Sequence, residues 1–475
     1  MTIKFGTDGW RAVISETFTF GNLRLVAQAI ADFIREENAA DPSVIIGFDT
    51  RFLSDRYAAE VARVMAANQI TTWLARADTP TPAISYSVVH KKATAGVMIT
   101  ASHNAPRYNG VKLKASYGGS ATPAQNKRVE SLLDRNLETV HGPNLMDFED
   151  AVKQGLVCKF DPAWAYYEHL STLVDLDTIS SGELRVVADG MYGSGRGAIG
   201  EVLARGRTRV HNIRHEMNPG FGGIHPEPIA KHLGLLMSTI QGGHWDVGLA
   251  TDGDADRIGA VDARGDFVDP HRIFALVLRY LIEKRGWTGK VVRTVSTTRM
   301  IDRIAADHNL PLVETPVGFN HIADLMVANG VLMGGEESGG ISIKGHIPEG
   351  DGVLMGLLLL EVMAEAQAPL HVLVEDLLEK YGPAQYARTD MKLKRPVNKA
   401  DMVQFLVSAA PAAIAGVDVE EVQTVDGVKY YLNDGSWLLI RPSGTEPVLR
   451  VYAEAPNDAR VKALLGFGEE MAQKA

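Results

Sequence analysis

Short apolar strands that end in polar residues and lead into helices recur along this chain, and this alternation constrains the fold more than any other feature. Such strands are expected at 44–48, 185–188 and 290–295. After the first of them, apolar residues from Ser54 to about Asn68 follow helical spacing. Repeated strand–helix units predict three similar α/β domains rather than one large sheet.

The C-terminal part follows a different pattern. Strands are expected at 428–432, 436–440 and 448–453, joined by Asn433-Asp-Gly435 and by a loop rich in proline and glycine, with a closing helix from about Asp458. This pattern predicts an antiparallel meander in a smaller C-terminal α+β domain. The segment from 367–369 through 381–383 is the expected connection to it.

The chain length fits several domains, because 475 residues exceed what one hydrophobic core holds at roughly 150 residues per domain. We expect domain boundaries that give the ranges 1–155, 156–262, 263–372 and 373–475.

Composition excludes some partners and favours a reducing compartment. The 58 Asp and Glu residues exceed the 48 Lys and Arg residues, giving a net charge of −10, which argues against nucleic acid or an anionic membrane as the main partner. Cys158 is the single cysteine, so no intramolecular disulfide forms. The N-terminus lacks a signal-peptide pattern. The longest apolar segment, 353–363, is too short to span a bilayer and carries Glu361, so it predicts a buried helix of a cytoplasmic protein.

Three carboxylates occupy alternate positions at Asp252, Asp254 and Asp256, between apolar segments 245–250 and 258–261. In an extended backbone they would share one side and repel by about 4 kcal/mol per pair at an effective dielectric near 20. Such a cluster favours a bound cation, and oxygen ligands indicate Mg²⁺, Mn²⁺ or Ca²⁺ rather than zinc. A solvated turn is the alternative. An EF-hand is excluded, because its glycine and glutamate positions hold Arg257 and Ala263.

A serine follows the apolar strand 95–99, in Thr100-Ala-Ser-His-Asn104. The Gly-x-Ser-x-Gly pattern of a hydrolase elbow is absent. In extended backbone His103 would point away from Ser102, so we expect no simple Ser–His relay. A serine that carries a phosphate fits better, with Lys112 helping to neutralise the charge; an ordinary loop serine is the alternative.

Two further loops contain groups suited to ligands. Arg441-Pro-Ser443-Gly444-Thr445 combines a guanidinium, two hydroxyls and an unobstructed backbone N–H, which suits a phosphate that is not transferred. Gly334-Gly-Glu336-Glu-Ser338-Gly-Gly340 offers a carboxylate for neighbouring sugar hydroxyls. A hairpin turn and a flexible turn, respectively, are the alternatives.

A dinucleotide-binding pattern is present but poorly placed. Gly195, Gly197 and Gly200 match G-x-G-x-x-G, yet the preceding strand is expected to end near Ala188, too early for such a site. We therefore expect a tight strand-to-helix loop.

Five motifs together resemble the α-D-phosphohexomutase superfamily and, within it, bacterial phosphoglucomutases. They are Phe5-Gly-Thr-Asp-Gly-Trp-Arg11, Thr100-Ala-Ser-His-Asn104, Asp252-Gly-Asp-Ala-Asp-Arg257, Gly335-Glu-Glu-Ser-Gly339 and Arg441-Pro-Ser-Gly-Thr445. They occur in family order across nearly the whole chain. The resemblance implies a heart-shaped monomer, with a dimer as the alternative, in which three α/β domains and a C-terminal α+β domain surround a central cleft.

The resemblance also implies roles for individual residues. The expected catalytic residues are Ser102 as phosphoserine, His103, Lys112 and Arg11. The expected ligands of one Mg²⁺ ion are Asp252, Asp254, Asp256 and the phosphorylated Ser102. The expected substrate-binding residues are Arg257, Gly318, Glu336, Ser338, Arg441, Ser443, Gly444 and Thr445.

The implied reaction interconverts glucose 1-phosphate and glucose 6-phosphate through glucose 1,6-bisphosphate, which is also the activator. Asn320 replaces a lysine of many relatives, and Ala105 replaces a common proline. The loop at Glu336 lacks the Met or Gln and the terminal His typical of phosphomannomutases and phosphoglucosamine mutases, so glucose is favoured and mannose is a second candidate. Those two mutase activities, a serine-dependent phosphatase and a non-catalytic sugar-phosphate binder are the alternatives.

Overall fold

The computed structural model describes residues 3–6, 9–38, 40–392, 398–442 and 448–474. The chain divides into two compact units. The first contains residues 1–287 and 318–373, and the second contains residues 288–317 and 374–475.

The first unit begins with a six-stranded sheet flanked by helices. Its elements are β1 (Trp10–Val13), α1 (Phe20–Glu37), β2 (Ser43–Phe48), α2 (Ser54–Ala67), β3 (Thr71–Ala75), α3 (Thr81–His90), β4 (Ala95–Ile99), β5 (Tyr108–Ala115), α4 (Pro123–Glu138), α5 (Phe148–Lys153) and β6 (Val157–Phe160). The strand order is β1-β5-β4-β2-β3-β6. β4, β2, β3 and β6 run parallel, whereas β5 and β1 are antiparallel to their neighbours. Because β2 and β4 are adjacent and parallel, the polar residues that follow each strand meet at one edge of the sheet.

A second sheet follows in the same unit. Its elements and the next helix are α6 (Ala163–Leu173), α7 (Leu176–Ser181), β7 (Arg185–Asp189), α8 (Ala198–Leu203), β8 (Arg209–Ile213), α9 (Gly234–Gln241), β9 (Val247–Thr251), β10 (Ile258–Asp262), β11 (Phe267–Val268) and α10 (Pro270–Glu283). The strand order is β11-β10-β9-β7-β8, with β9, β7 and β8 parallel. β9 and β10 are fully buried antiparallel neighbours, so the turn between them is held at a fixed place.

The central part of the chain contributes to both units. Its elements are β12 (Lys290–Thr294), α11 (Met300–Asp307), β13 (Leu312–Thr315), α12 (Phe319–Val327), β14 (Val331–Gly335), β15 (Ile341–Ile343), α13 (Gly352–Ala366) and α14 (Leu370–Tyr381). In the second unit β12 and β13 are parallel, and in the first unit β14 and β15 form an antiparallel pair.

The helix expected from the longest apolar segment is confirmed as α13. Its residues 352–364 are all buried, and Asp351 caps it by accepting a hydrogen bond from the Leu354 N–H at 2.8 Å. Within the described ranges, no single helix has both the length and the apolar character needed to cross a bilayer; α13 and α14 meet that test only together, as a pair bent by 84°.

The C-terminal elements form an antiparallel sheet closed by a helix, as the sequence predicted. They are β16 (Gln385–Lys392), α15 (Lys399–Ser408), β17 (Ala413–Ile414), β18 (Val417–Gln423), β19 (Val428–Leu432), β20 (Trp437–Pro442), β21 (Val448–Ala455) and α16 (Asp458–Lys474). The order is β16-β21-β20-β19-β18-β17. The central strands supply a buried apolar core that includes Leu438, Ile440 and Val451, against which Leu464 of α16 packs.

The expected connection between 367 and 383 is mostly the helix α14. The domain boundaries remain predictions, although β6 pairs with β3 in the first sheet and β11 pairs with β10 in the second, so both sheets extend beyond residues 155 and 262.

Glu361 is a buried carboxylate on α13 that ties three segments of the first unit together. Its oxygens accept hydrogen bonds from Arg285 at 2.6 Å, from the Tyr280 hydroxyl at 2.5 Å and from the Asp175 N–H at 2.8 Å. The side chain of Glu361 is fully buried, so these donors replace water completely.

We expect Glu361→Ala to lower the free energy of unfolding by about 3 kcal/mol, because it leaves Arg285 and two other donors without their acceptor. Glu365→Ala is the matched control on the same helix, since Glu365 is 41% exposed and lies 3.6 Å from Lys284; it should cost less than about 1 kcal/mol. Urea denaturation measures both. Equal losses in the two variants would contradict the role assigned to Glu361.

Candidate active site

Ser102 lies in a tight turn directly after β4, where its backbone has a φ of +50°. The Ser102 N–H donates to the Thr100 hydroxyl oxygen at 2.8 Å, and Ser102 Oγ donates to Asp252 Oδ2 at 2.9 Å. A left-handed backbone at a residue other than glycine costs about 1–2 kcal/mol, so surrounding contacts must hold it. The serine expected to carry phosphate is therefore buried and aimed at the first carboxylate of the acidic cluster.

The expectation that His103 points away from Ser102 was wrong. It assumed an extended backbone, whereas the turn places His103 Nδ1 3.4 Å from Ser102 Oγ. Burial lowers the pKa of His103 well below its usual value, and the positive charges of Arg257, Arg11, Arg51 and Lys112 lower it further. The imidazole is therefore neutral near pH 7, and its unprotonated ring nitrogen is able to accept a hydrogen bond.

The three aspartates come together through a turn between β9 and β10, not through the extended alternation that the sequence suggested. Ala255 in the middle of this turn has a φ of +60°. One ligand oxygen from each of Asp252, Asp254 and Asp256 lies within 4.8 Å of the others. Gly253 allows the close approach to the serine turn, because a Cβ there would lie 2.5 Å from the Ser102 carbonyl oxygen.

Lys112 of β5 neutralises part of this negative charge. Its Nζ lies 2.9 Å from Asp254 Oδ2 and 2.7 Å from Asp256 Oδ2, and all three side chains are largely buried. Thr81 at the start of α3 also donates to Asp254 Oδ2, at 2.7 Å. Burial, together with Asp256 and Asp254, raises the pKa of Asp252 well above its ordinary value. The cluster holds more negative charge than Lys112 balances.

The donor set suits a divalent cation. Asp256 Oδ1 is buried and accepts no hydrogen bond from the described residues, and Arg257 Nε lies 3.8 Å from it. Carboxylate and hydroxyl oxygens are the ligands that Mg²⁺ and Mn²⁺ prefer. The three aspartates and Ser102 Oγ are thus able to hold such an ion.

Two arginines that the sequence singled out lie beside the serine turn. Arg11 on β1 donates to Asn104 Oδ1 at 2.8 Å. The backbone N–H of Arg257 donates to Asp252 Oδ1 at 3.2 Å. Together with Lys112, they place positive charge where a phosphate on Ser102 would carry negative charge.

Glu336 begins the turn between β14 and β15, and Ser338 lies in the same turn. The Gly318 N–H donates to Glu336 Oε1 at 2.8 Å, so these two predicted substrate-binding residues meet. Burial and the neighbouring Glu337 raise the pKa of Glu336 to about 8, although Arg257 opposes the shift. Asn320 in the first turn of α12 is buried, and its Oδ1 accepts no hydrogen bond from the described residues.

The predicted phosphate loop is described only in part. Ser443, Gly444 and Thr445 lie outside the described residues. Arg441 near the end of β20 belongs to the second unit, where its Nε donates to Asp426 Oδ2 at 2.6 Å.

Sequence reasoning assigned no role in the site to several supporting residues. Asp49 accepts a hydrogen bond from the Thr100 hydroxyl at 2.6 Å, and Thr100 in turn receives the Ser102 N–H. Arg51 donates to the Ser102 carbonyl at 2.6 Å. The sequence does place Asp49-Thr-Arg51 directly after a buried strand, β2. Because β2 and β4 are parallel neighbours, this position could have predicted that Asp49 and Arg51 lie beside the residues that follow β4.

The G-x-G-x-x-G segment forms a strand-to-helix loop, as expected. Gly197 precedes α8 with a φ of +82°. A Cβ on Gly195 would lie 2.7 Å from Ala255 Cβ and 2.5 Å from Thr251 Oγ1. This loop therefore packs against Thr251, which ends β9, and against Ala255 of the acidic turn.

Four family models match the chain in consecutive order. They are described as phosphoglucomutase/phosphomannomutase alpha/beta/alpha domain I at residues 2–139, domain II at 164–265, domain III at 269–381, and the C-terminal domain at 395–467. This chain belongs to the phosphoglucomutase/phosphomannomutase family. Its architecture is the four-domain arrangement of three α/β domains and a C-terminal domain, and its enzyme class is that of the phosphohexomutase isomerases.

Relatives match over nearly their whole lengths. A protein of Thermococcus kodakarensis named phosphoglucomutase/phosphomannomutase is 28% identical over 99% of this chain and 98% of its own length. A protein of Methanothermobacter thermautotrophicus provisionally named phosphoglucosamine mutase is 30% identical over 96% of this chain and 95% of its own length. A crystal structure from Thermus thermophilus, provisionally described as a phosphomannomutase, superimposes with a TM-score of 0.87 at 32% identity, covering 100% of this chain and 99% of that one.

Divalent cations should stabilise the protein through the acidic turn. We expect Mg²⁺ or Mn²⁺ to raise Tm in a concentration-dependent way, because an ion that binds only the folded state adds RT ln(1 + [L]/Kd) to stability. Asp254→Asn should remove most of that shift. Asp266→Asn serves as the control, since Asp266 lies just before β11 of the same sheet with a side chain that is 71% exposed. A Tm increase in Asp254→Asn equal to that of the wild type would exclude this turn as the cation site.

Glu336 should make stability depend on pH. Its folded-state pKa of about 8 lies above the ordinary value of 4.5, so folding favours its protonated form. This contribution is fully present below pH 4.5 and is lost as pH rises through 8. Denaturation from about pH 5 to 9 should show the wild type losing stability relative to Glu336→Gln, by at most about 1.4 kcal/mol per pH unit. A difference independent of pH would contradict the raised pKa.

Proposed function

We propose that the chain is a Mg²⁺-dependent phosphoglucomutase that works through phosphorylated Ser102. The observation that carries this proposal is the 2.9 Å contact between Ser102 Oγ and Asp252, at the edge of a cluster of three buried carboxylates. A buried serine beside a hard-cation site, surrounded by arginine and lysine, suits phosphoryl transfer better than acyl transfer. Family membership supports the same reaction class.

In the first half-reaction, the 6-hydroxyl of glucose 1-phosphate attacks the phosphorus of phosphoserine. A new O–P bond forms, the bond between phosphorus and Ser102 Oγ breaks with its electron pair remaining on Oγ, and glucose 1,6-bisphosphate results. The bisphosphate turns round and Ser102 Oγ attacks the phosphorus at position 1. The bond between that phosphorus and O1 breaks with its electron pair remaining on O1, and glucose 6-phosphate leaves with O1 carrying the proton that Oγ gives up. No phosphate is lost to water in this cycle.

The chain's own residues supply charge and orientation for these steps. Lys112, Arg11 and Arg257 would stabilise the charge of the transferring group, and their charges count for more in a buried site than in water. His103 Nδ1 lies 3.4 Å from Ser102 Oγ, so it is placed to form a hydrogen bond with the serine oxygen, which leaves in the first half-reaction and attacks in the second. A bound Mg²⁺ would supply additional positive charge to the phosphate oxygens.

The remaining predicted residues would hold the sugar phosphate. Glu336 and Ser338 share a turn and would offer a carboxylate and a hydroxyl to the hydroxyl groups of a hexose. The Gly318 N–H donates to the Glu336 carboxylate, which supports this role. A carboxyl group with a pKa of about 8 can donate as well as accept a hydrogen bond at neutral pH. Arg441, with Ser443, Gly444 and Thr445, would bind the phosphate that is not transferred.

Glucose is the sugar that the Glu336 loop favours, whereas the names of relatives include mannose and glucosamine as well as glucose. The loop Gly335-Glu-Glu-Ser-Gly339 lacks the Met or Gln of the mannose and glucosamine mutases. Relatives nevertheless carry the names phosphomannomutase and phosphoglucosamine mutase. Mannose and glucosamine phosphates are therefore the second candidates for the same mechanism.

The acidic composition and the single cysteine favour the cytoplasm as the compartment of the protein.

Ser102→Ala should abolish mutase turnover and leave sugar-phosphate binding within about threefold of the wild type, because only the phosphate carrier is removed. The assay follows glucose 6-phosphate formed from glucose 1-phosphate with Mg²⁺ and a trace of glucose 1,6-bisphosphate, and calorimetry measures binding. Turnover by Ser102→Ala at the wild-type rate would exclude the phosphoserine mechanism.

The same purified protein separates the alternatives. Mannose 1-phosphate and glucosamine 1-phosphate assayed in parallel give relative kcat/KM values, and a higher value for either one would reject glucose as the preferred sugar. Release of inorganic phosphate in proportion to substrate consumed would identify a phosphatase. Binding without turnover of any hexose phosphate, by protein phosphorylated on Ser102, would identify a non-catalytic binder.

A further inference from the structure

The guanidinium of Arg51 uses all its hydrogen-bond donors on the segment that carries Ser102 and on one buried carboxylate. Nε donates to Asp49 Oδ2 at 3.1 Å. The other four bonds run to the carbonyl oxygens of Ser102 at 2.6 Å, Asn104 at 2.6 Å, Ala105 at 2.9 Å and Tyr108 at 3.0 Å. A guanidinium has five N–H donors, so this set is complete.

The surroundings of Arg51 exclude water and substrate alike. The Arg51 side chain has no exposed surface, and its guanidinium carbon lies 4.9 Å from the centre of the Phe221 ring. Asp49 is also fully buried, and it is held by the Ser54 hydroxyl at 3.0 Å and by the Thr100 hydroxyl. Arg51 therefore has neither an open face nor a spare donor with which to bind a phosphate.

We infer that Arg51 is the positioning residue that fixes the Ser102 turn in the backbone geometry that phosphoryl transfer needs. Ser102 has a φ of +50°, a conformation that a serine keeps only when neighbouring contacts hold it. Because Arg51 binds the carbonyl of Ser102 itself and those of three following residues, it fixes the direction of the turn and, with it, the direction of Ser102 Oγ. This inference rests on the proposed function for its catalytic consequence, but the geometric part stands by itself.

Lysine is not an equivalent residue at this position. An ammonium group has three donors and no planar fork, so it satisfies at most three of the five acceptors that Arg51 binds. Arg51→Lys keeps the positive charge and much of the volume while releasing part of the turn. The chain offers a matched control in Arg63, whose guanidinium binds the Met146 carbonyl at 2.9 Å and Glu60 at 2.8 Å in the same domain, away from Ser102.

The test compares Arg51→Lys and Arg63→Lys with the wild type. Hydrogen exchange followed by mass spectrometry should show faster exchange over residues 100–109 only in Arg51→Lys. The kcat for the preferred hexose phosphate should fall about 10²-fold with KM within about threefold, and the single-turnover rate of Ser102 phosphorylation by glucose 1,6-bisphosphate should fall in parallel. Arg63→Lys should retain the wild-type values of all these quantities.

Two outcomes would overturn the inference. The first is hydrogen exchange over residues 100–109 at the same rate in Arg51→Lys and Arg63→Lys. The second is a lower Tm in Arg51→Lys combined with a wild-type kcat at temperatures well below that Tm, which would indicate a structural role only. If Arg51→Lys does not fold, Phe221→Leu replaces it and should show the same faster exchange and lower kcat. If the wild type turns over no hexose phosphate, the proposed function fails, while the exchange measurement still decides whether Arg51 positions the turn.

Discussion

The structure around Ser102 depends on the electrostatic problem that three buried carboxylates create. Asp252, Asp254 and Asp256 lie within 4.8 Å of one another at a place where water cannot screen them. One lysine offsets part of the repulsion, while burial, together with the charges of Asp256 and Asp254, raises the pKa of Asp252. The remaining negative charge favours binding of a divalent cation and keeps the site unsuited to anions until such an ion or a protonated group is present.

Arginine performs a different task on each side of this site. Arg257 and Arg11 lie beside the serine turn, where the proposed mechanism has their charges act on a transferring phosphate. Arg51 lies beneath the serine turn, where its donors act on backbone carbonyls. The roles of these arginines differ because the Arg51 side chain is fully buried and binds backbone carbonyl oxygens, although all three residues are of the same type.

Residue chemistry was easier to predict from the sequence than local geometry. The strands that lead to Ser102 and Asp252 were found because buried apolar runs are visible in a sequence, and the C-terminal meander was found for the same reason. The left-handed turns at Ser102 and Ala255 were not predicted, because nothing in the sequence marks a serine or an alanine that adopts a positive φ. That is why the orientation predicted for His103 was wrong.

Other features escaped sequence analysis for separate reasons. The edge strand Gln385–Lys392 alternates exposed charged residues with partly buried ones, so it lacks the apolar run that marks a central strand. The role of Arg51 depends on carbonyl groups contributed by several residues, and any residue type can supply a carbonyl. For Ser443, Gly444 and Thr445 the sequence remains the whole basis of the assignment.

The close packing of Gly253 against the Ser102 carbonyl has a consequence for biosynthesis. The two segments lie far apart in the chain and belong to different sheets, yet a single methyl group between them would clash. A nascent chain that has completed only the first sheet holds Ser102 without the acidic turn and cannot assemble the cation site. The hydrogen bond between Ser102 and Asp252 therefore forms only after the second sheet has formed and docked, so the site proposed for phosphoryl transfer needs both sheets and cannot be completed by either one alone.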